Sequence, residues 1–348
     1  MLKLYTNTSL LTEKNRKHVF PLLFDLYYTK NDFLISHYSI VENLNDSDIV
    51  VIPLEYTHSL KSYKSIINVV LDKAKLANKP IWVYSGGDFG YSLQDKSIFN
   101  FRLGGFHGKL HESTIIMPSF INDPYDSNLE KSFAPLHKNK IPQIGFVGHA
   151  QGGFIKYIKE FLSFVKVNLK RILINEHKDY QSFYPSSIKR AKYLKLIQGS
   201  DKLESNFILR NKYRAGVKSA LEKKTTTMEF YDNIYKNPYT FCMRGAGNFS
   251  VRFYETLAVG RIPILIKTDC RLPLSSQINW KNRCLIVEAK EVRNMEQLIL
   301  NFHESLSEEE FIQLQINNRG LWEASLKRES FFKVIHDDFL TKLKLQDA

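Results

Sequence analysis

Short, wholly apolar runs alternate with longer amphipathic stretches, and this alternation constrains the chain more than any other feature. Ile49–Leu54 (IVVIPL) follows the polar turn Asn45-Asp46-Ser47-Asp48 and reads as a buried strand. The spacing predicts a helix over Leu60–Ala77, ended by Lys79-Pro80. A strand at Ile81–Tyr84 is closed by Ser85-Gly86-Gly87-Asp88, and Thr114–Met117 is a further strand. Strands that are apolar throughout and joined by helices form parallel sheets covered on both faces. Residues 122–143, rich in Asn, Asp, Pro, Ser and Lys, read as a linker, after which the plan restarts. Strands are expected at Gln143–Gly148, Ile172–Asn175, Tyr239–Met243, Ile262–Ile266 and Leu285–Val287, with helices at Glu308–Lys327 and Ser330–Leu345. The fold class is therefore α/β, with two domains facing a cleft. One covers residues 1–135, the other 142–325, and a helix over 326–348 ends the chain. With 348 residues and 43% hydrophobic content there is enough apolar surface for two cores.

The formal net charge is +13, and it is unevenly placed. Residues 126–226 hold 20 lysines and arginines against 8 acids, a net of +12. Most of it lies in Phe154–Arg171 and Ser187–Leu196, both with apolar residues at helical spacing. Such helices cover a sheet or lie on anionic lipid. A basic middle also suits nucleic acid, but no RNA-recognition, zinc-finger or helix-turn-helix signature is present. The alternative to an enzyme is thus a non-catalytic basic module that binds nucleic acid or anionic membrane. Cys242, Cys270 and Cys284 show no CxxC spacing, which disfavours a disulfide framework or a cysteine zinc site and fits a reducing compartment. The N-terminus has no secretory h-region and no run reaches the length of a membrane span. The expectation is a cytoplasmic protein, peripheral on the inner face of a membrane if the basic helices meet lipid.

The chemistry concentrates in Tyr239–Pro273, which reads as strand, glycine loop, helix, strand. Arg244 stands at the strand's end, and Gly245 and Gly247 allow a ligand close to the backbone. Asn248 or Ser250 caps the helix. Val251, Tyr254, Leu257 and Ala258 share the face expected to bury. Arg252 in the first turn opposes the helix dipole unless an anion binds there. Glu255, one turn deeper, is placed to accept hydrogen bonds from ribose hydroxyls. The plainer reading of Arg252 and Glu255 is a surface ion pair.

The run FCMRGAGNFSVRFYETLAVGRIPILI resembles the signature of the exostosin family, glycosyltransferase family 47. The matching residues are Arg244, Gly245, Gly247, Ser250, Arg252, Phe253, Glu255, Leu257, Gly260 and Pro263, with Leu272-Pro273 and Ile278-Asn279-Trp280 after them. Asn279 stands where the family usually has an acid. The strong resemblance covers about residues 235–290, and Ser47–Leu54 and Ile144–Gly148 match more loosely. The amino-terminal stem and membrane anchor of animal and plant members are not seen, which suggests a compact microbial or viral relative. The resemblance implies a GT-B fold of two Rossmann-like domains, with a C-terminal helix crossing back to the first. It implies inverting, metal-independent transfer from a nucleotide sugar, a UDP-sugar favoured, with no cofactor. The acceptor would be a glycan or lipid-linked glycan of surface polysaccharide synthesis, held by the first domain. Asp46-Ser47-Asp48 has the spacing of a metal-binding DxD but reads as a turn before a strand.

Such a reaction needs a base for the acceptor hydroxyl and positive charge for the departing diphosphate. The base candidates are Asp88, then Glu55, then His107 with His111. Two histidines four apart without a helix or third ligand do not make a metal site. The donor candidates are Arg244, Gly245, Gly247, Asn248, Ser250, Arg252 and Glu255, joined by Gly148, His149 and the Arg210–Lys212–Arg214 cluster.

Overall fold

The structure, a computed structural model, describes residues 1–173, 178–217 and 219–346. The first lobe runs β1 (Leu2–Tyr5), α1 (Pro21–Phe24), α2 (Asp32–Ile35), β2 (Tyr38–Val41), β3 (Ile49–Val51), α3 (Tyr56–Ser62), α4 (Lys64–Leu76), β4 (Ile81–Ser85), β5 (Ile98–Arg102) and β6 (Thr114–Ile116). After α5 (Pro124–Ser127) come β7 (Gln143–His149), α6 (Phe154–Leu173), α7 (Ser186–Gln198), β8 (Glu204–Arg210), α8 (Ala220–Lys236), β9 (Tyr239–Met243), α9 (Val251–Ala258), β10 (Ile262–Lys267), β11 (Leu285–Glu288), α10 (Met295–Glu304), α11 (Glu308–Leu321) and α12 (Arg328–Gln346).

Two parallel sheets result, with strand orders β2-β1-β3-β4-β5-β6 and β11-β10-β9-β7-β8. The two orders correspond. In each lobe the first strand lies between the second and the third, so the winding reverses there: β1 beside β3, and β7 beside β9. Open α/β sheets bind ligands at this switch point, beyond the carboxyl ends of the strands. This is the GT-B architecture that the resemblance implies.

Each lobe has its own apolar core. Leu4, Val50, Trp82 and Phe101 are fully buried in the first, and Phe146, Phe241, Ile264 and Val287 in the second. Helix α12 belongs to the first core through Phe331, Phe332, Ile335 and Phe339. Tyr38 donates its hydroxyl to the Phe332 carbonyl at 2.6 Å.

Two expectations need correction. Residues 122–143 are not a slack linker but a strap tied to the second lobe. Asp123 accepts two bonds from Arg319 (3.0 and 2.6 Å), and Gln315 holds both the amide and the carbonyl of Leu136. A domain boundary at 135 falls inside this strap. Of the strand expected at Ile172–Asn175, Ile172 and Leu173 are instead the last two residues of α6, while residues 174 and 175 lie outside the described residues. The partner strand is instead β8, an edge strand in which no residue is fully buried. Asp46-Ser47-Asp48 is a turn before β3, as expected, with Asp48 accepting the Lys3 amide at 2.7 Å.

Candidate functional site

Three arginines meet at the switch point of the second lobe. Arg244 directly follows β9. Its Nη2 donates to the Ala246 carbonyl (2.6 Å) and to Gln181 Oε1 (3.1 Å). Its guanidinium lies between two rings, 4.7 Å from Tyr184 and 5.2 Å from Phe106. Arg252, in the first turn of α9, donates Nη2 to the Val147 carbonyl (2.7 Å) and rests 4.2 Å from the Phe146 ring. A Cβ on Gly148 would lie 2.8 Å from that Nη2, so glycine leaves the guanidinium its space. Arg190, from α7, donates to the carbonyls of His149 (2.7 Å) and Arg244 (3.2 Å), stitching the ends of β7 and β9 together.

The Nε of Arg190, Arg244 and Arg252 is in each case buried without a partner. Burial makes all three easier to deprotonate, Arg190 falling to about 10 with the neighbouring Arg252 adding to the effect. Buried cations with unused donors are costly unless an anion completes them. A diphosphate supplies that charge in a form guanidinium groups recognise well.

Glu255 is not the partner of Arg252 on the surface. It lies inside, hydrogen-bonded to the Tyr231 hydroxyl, and burial pushes its carboxyl up to about 7 against the pull of Arg252. Ser250 occupies the N-cap position of α9, but its side chain makes no capping bond. Asn248 is not a cap. Its Nδ2 donates to the Gly105 carbonyl (3.1 Å) and the Thr268 carbonyl (2.9 Å), and its Oδ1 accepts from Thr268 Oγ1 (2.6 Å). It therefore pins the glycine loop to the first lobe. Gly247 is needed for close approach, since a Cβ there would lie 2.4 Å from the Asp88 carbonyl oxygen; at Gly245 a Cβ would meet nothing. Val251 is exposed, and Phe253 takes its place beside Tyr254, Leu257 and Ala258 in the core.

The first lobe faces this loop directly. Asp88 is exposed, and its charge favours the Arg244 cation. Glu55 is occupied as the N-cap of α3, accepting the His58 amide at 2.7 Å. His107 is exposed, and its Nδ1 accepts from Arg271 Nε at 3.1 Å. His111 Nδ1 is 2.8 Å from Ser113 Oγ, which makes it a local turn residue. His149 Nε2 lies 3.4 Å from Ser187 Oγ, and burial with nearby Lys156 and Arg190 disfavours its protonation. Arg210 ends β8 but forms an ion pair with Glu229 and donates to the Thr226 carbonyl at 3.1 Å, so its charge is already used. The Arg214 side chain lies outside what the structure describes.

The lobes are closed on each other here. Phe106 pairs with Cys270 in a single β-bridge, and the His107 amide donates to the Asp269 carbonyl at 2.7 Å. The space under the loop, lined by Arg244, Asn248, Ser250 and Phe253, is about 10 Å³. That is room for about one water.

Arg190, Gln181 and Tyr184 were not among the sequence candidates. A signal for Arg190 existed: Ser187, Arg190, Leu194 and Ile197 follow helical spacing, and the other three are buried. An arginine on the inward face of a helix is unusual enough to mark a site. Gln181 and Tyr184 lie in irregular chain, where no periodicity points inward.

No family model matches the chain. Among curated proteins it is 27% identical over 124 residues to an exostosin-1 homolog of Caenorhabditis elegans, covering 34% of this chain and 31% of that protein. It is 29% identical over 98 residues to a probable glucuronoxylan glucuronosyltransferase of Arabidopsis thaliana, covering 25% of this chain and 21% of the relative. The matches thus span less than a third of either relative. A solved α1,3-fucosyltransferase is similar over 91% of this chain and 82% of its own, with 14% identity and a TM-score of 0.36. An α-glucosyltransferase solved with UDP-glucose and DNA is similar over 97% and 98%, with 11% identity and a TM-score of 0.35. In sequence, the chain is similar to exostosin-family glycosyltransferases.

Proposed function

We propose that the chain is an inverting glycosyltransferase that moves a sugar from a nucleotide-sugar donor, a UDP-sugar favoured, to a glycan or lipid-linked acceptor in surface polysaccharide synthesis. The proposed setting is the cytoplasm. The observation that carries this reading is the trio of buried, unsatisfied Nε donors on Arg190, Arg244 and Arg252 at the switch point of the second sheet. In the proposed reaction the acceptor hydroxyl attacks the anomeric carbon in line with the departing diphosphate. Asp88 takes the hydroxyl proton. It is the base candidate that faces the donor loop without being tied to a cap or to Arg271. The arginines and the amides of the loop over 245–250 neutralise the leaving group, so no metal is required of the protein. Because the loop space is narrow, donor entry requires the lobes to separate and to close again around the diphosphate.

The test is turnover of a panel of nucleotide sugars, read as nucleoside diphosphate released in the presence of a chelator. Release that persists with chelator and is lost in Arg244→Ala supports the reading. If no nucleotide sugar is bound or turned over, or if Arg244→Ala keeps full activity, the reading is dropped.

A further inference from the structure

The two basic helices of the middle segment have different fates. Helix α7 covers the sheet and buries Ser187, Leu194 and Ile197. Helix α6, 20 residues long, buries none of its residues. Its apolar arc is divided. Tyr157, Phe161 and Phe164 each hold the Phe183 ring at 5.4 Å, which docks the helix on the α6–α7 connector. The rest of the arc faces solvent: Ile155 is 71% exposed, Ile158 41%, Leu162 60%, Leu169 52% and Ile172 67%. These residues recur at intervals of three, four and seven and form a continuous stripe along the helix. Lys159, Lys166 and Lys170, all exposed, line its flank. The one acid of the helix, Glu160, is engaged by Lys156 at 3.8 Å.

From this we infer that α6 lies flat on an anionic phospholipid surface, its isoleucines and leucines in the acyl boundary and its lysines among the headgroups. The argument is charge complementarity. A second copy docked stripe to stripe would bring the lysine row of one helix towards that of the other. An anionic bilayer meets the same row with phosphate groups and also covers the apolar stripe. No helix of the described residues is long and apolar enough to cross a membrane, so attachment here is interfacial. The connector beneath α6 also carries Gln181 and Tyr184, which touch Arg244. The inference does not rest on the transferase reading, because vesicle binding is measured without donor.

The test is co-sedimentation of the full chain with vesicles of equal parts phosphatidylglycerol and phosphatidylcholine, and with vesicles of phosphatidylcholine alone. The chain should sediment with the first and not the second. The paired change Ile158→Asp with Leu162→Asp, at exposed positions, should weaken binding at least about tenfold with an unchanged circular dichroism spectrum. Lys159→Gln with Lys166→Gln should remove most of the salt dependence. No binding to the anionic vesicles, or equal binding by the aspartate variant, overturns the inference. So does light scattering that shows a dimer which the aspartate variant dissolves, since the stripe then belongs to a second copy.

Discussion

Arg102 of the first lobe and Asp179 of the second form an ion pair at 2.7 Å, and Arg102 is almost completely buried. Asp179 also accepts the amide and hydroxyl of Ser92, both at 2.8 Å, while its own amide donates to the Gly90 carbonyl at 3.0 Å. The connector that carries Asp179 carries Gln181 and Tyr184, which touch Arg244. Holding the lobes together and covering the arginine cluster are therefore done by one short segment.

Breaking this pair leaves a buried guanidinium short of its counter-charge, although Arg102 keeps its bonds to the Phe89 and Gly104 carbonyls. Asp179→Ala should lower stability by about 3 kcal/mol in urea denaturation. It should also speed nucleotide association in stopped flow, because the cover over Arg244 is loosened. Wild-type stability together with a wild-type association rate would show that the pair is not a latch.

Gly247 is pressed against the first lobe. In Gly247→Ala the new methyl group would meet the Asp88 carbonyl at 2.4 Å, so one of the two loops must move. The variant should lose roughly 1–3 kcal/mol of stability. Its apparent KM for donor should rise, since the loop that holds the diphosphate is displaced. A thermal melt and a donor titration check both.

Arg190 offers a sharper probe because it spans two strand ends. Lysine reaches one carbonyl where arginine reaches two, and it lacks the planar fork that suits a phosphate. Arg190→Lys should weaken binding of a nucleoside diphosphate by roughly 10- to 100-fold, the value of one to two charge-assisted hydrogen bonds. Calorimetric titration at fixed ionic strength measures it. Lys212→Ala, at an exposed surface position, should change binding little.

Glu255 predicts a pH signature. Its folded pKa, about 7, is raised above the ordinary glutamate value by burial. The folded state therefore binds a proton that the unfolded state has released, between about pH 4.3 and 7. Stability from this group is fully present below that window and is lost as pH rises through 7, an effect of order 3 kcal/mol. In Glu255→Gln this part of the slope should vanish, and above pH 7 the variant should be no less stable than the wild type. Denaturation at pH 5 and pH 8 for both proteins reads the difference.

The parallel-sheet plan was legible because IVVIPL and IPILI are apolar at every position, as doubly covered strands must be. β5 was not foreseen, since Asn100 and Arg102 interrupt its apolar run; both are buried through tertiary partners, Asn100 bonded to the Tyr91 carbonyl and Arg102 to Asp179. β8 was hidden by its edge position, where no residue is fully buried. At the site, Arg244 and Arg252 follow from a local motif of strand, glycine loop and helix. Arg190 comes from a helix more than 50 residues earlier and meets them only through the topology of the sheet. The place of Glu255 on its helix is legible, but spacing alone does not show that Tyr231 of α8 lies against it. Asn248 misled for a related reason: a residue type favoured as a cap was taken up instead by carbonyls from both lobes.

The central claim is that Arg190, Arg244 and Arg252 form one diphosphate site, and titration of UDP into the chain in the presence of a chelator tests it most directly. The account predicts saturable binding of one UDP that Arg244→Ala and Arg252→Ala each weaken by about tenfold or more, while uridine alone binds poorly. UDP binding that is absent, or that survives both substitutions unchanged, would contradict it.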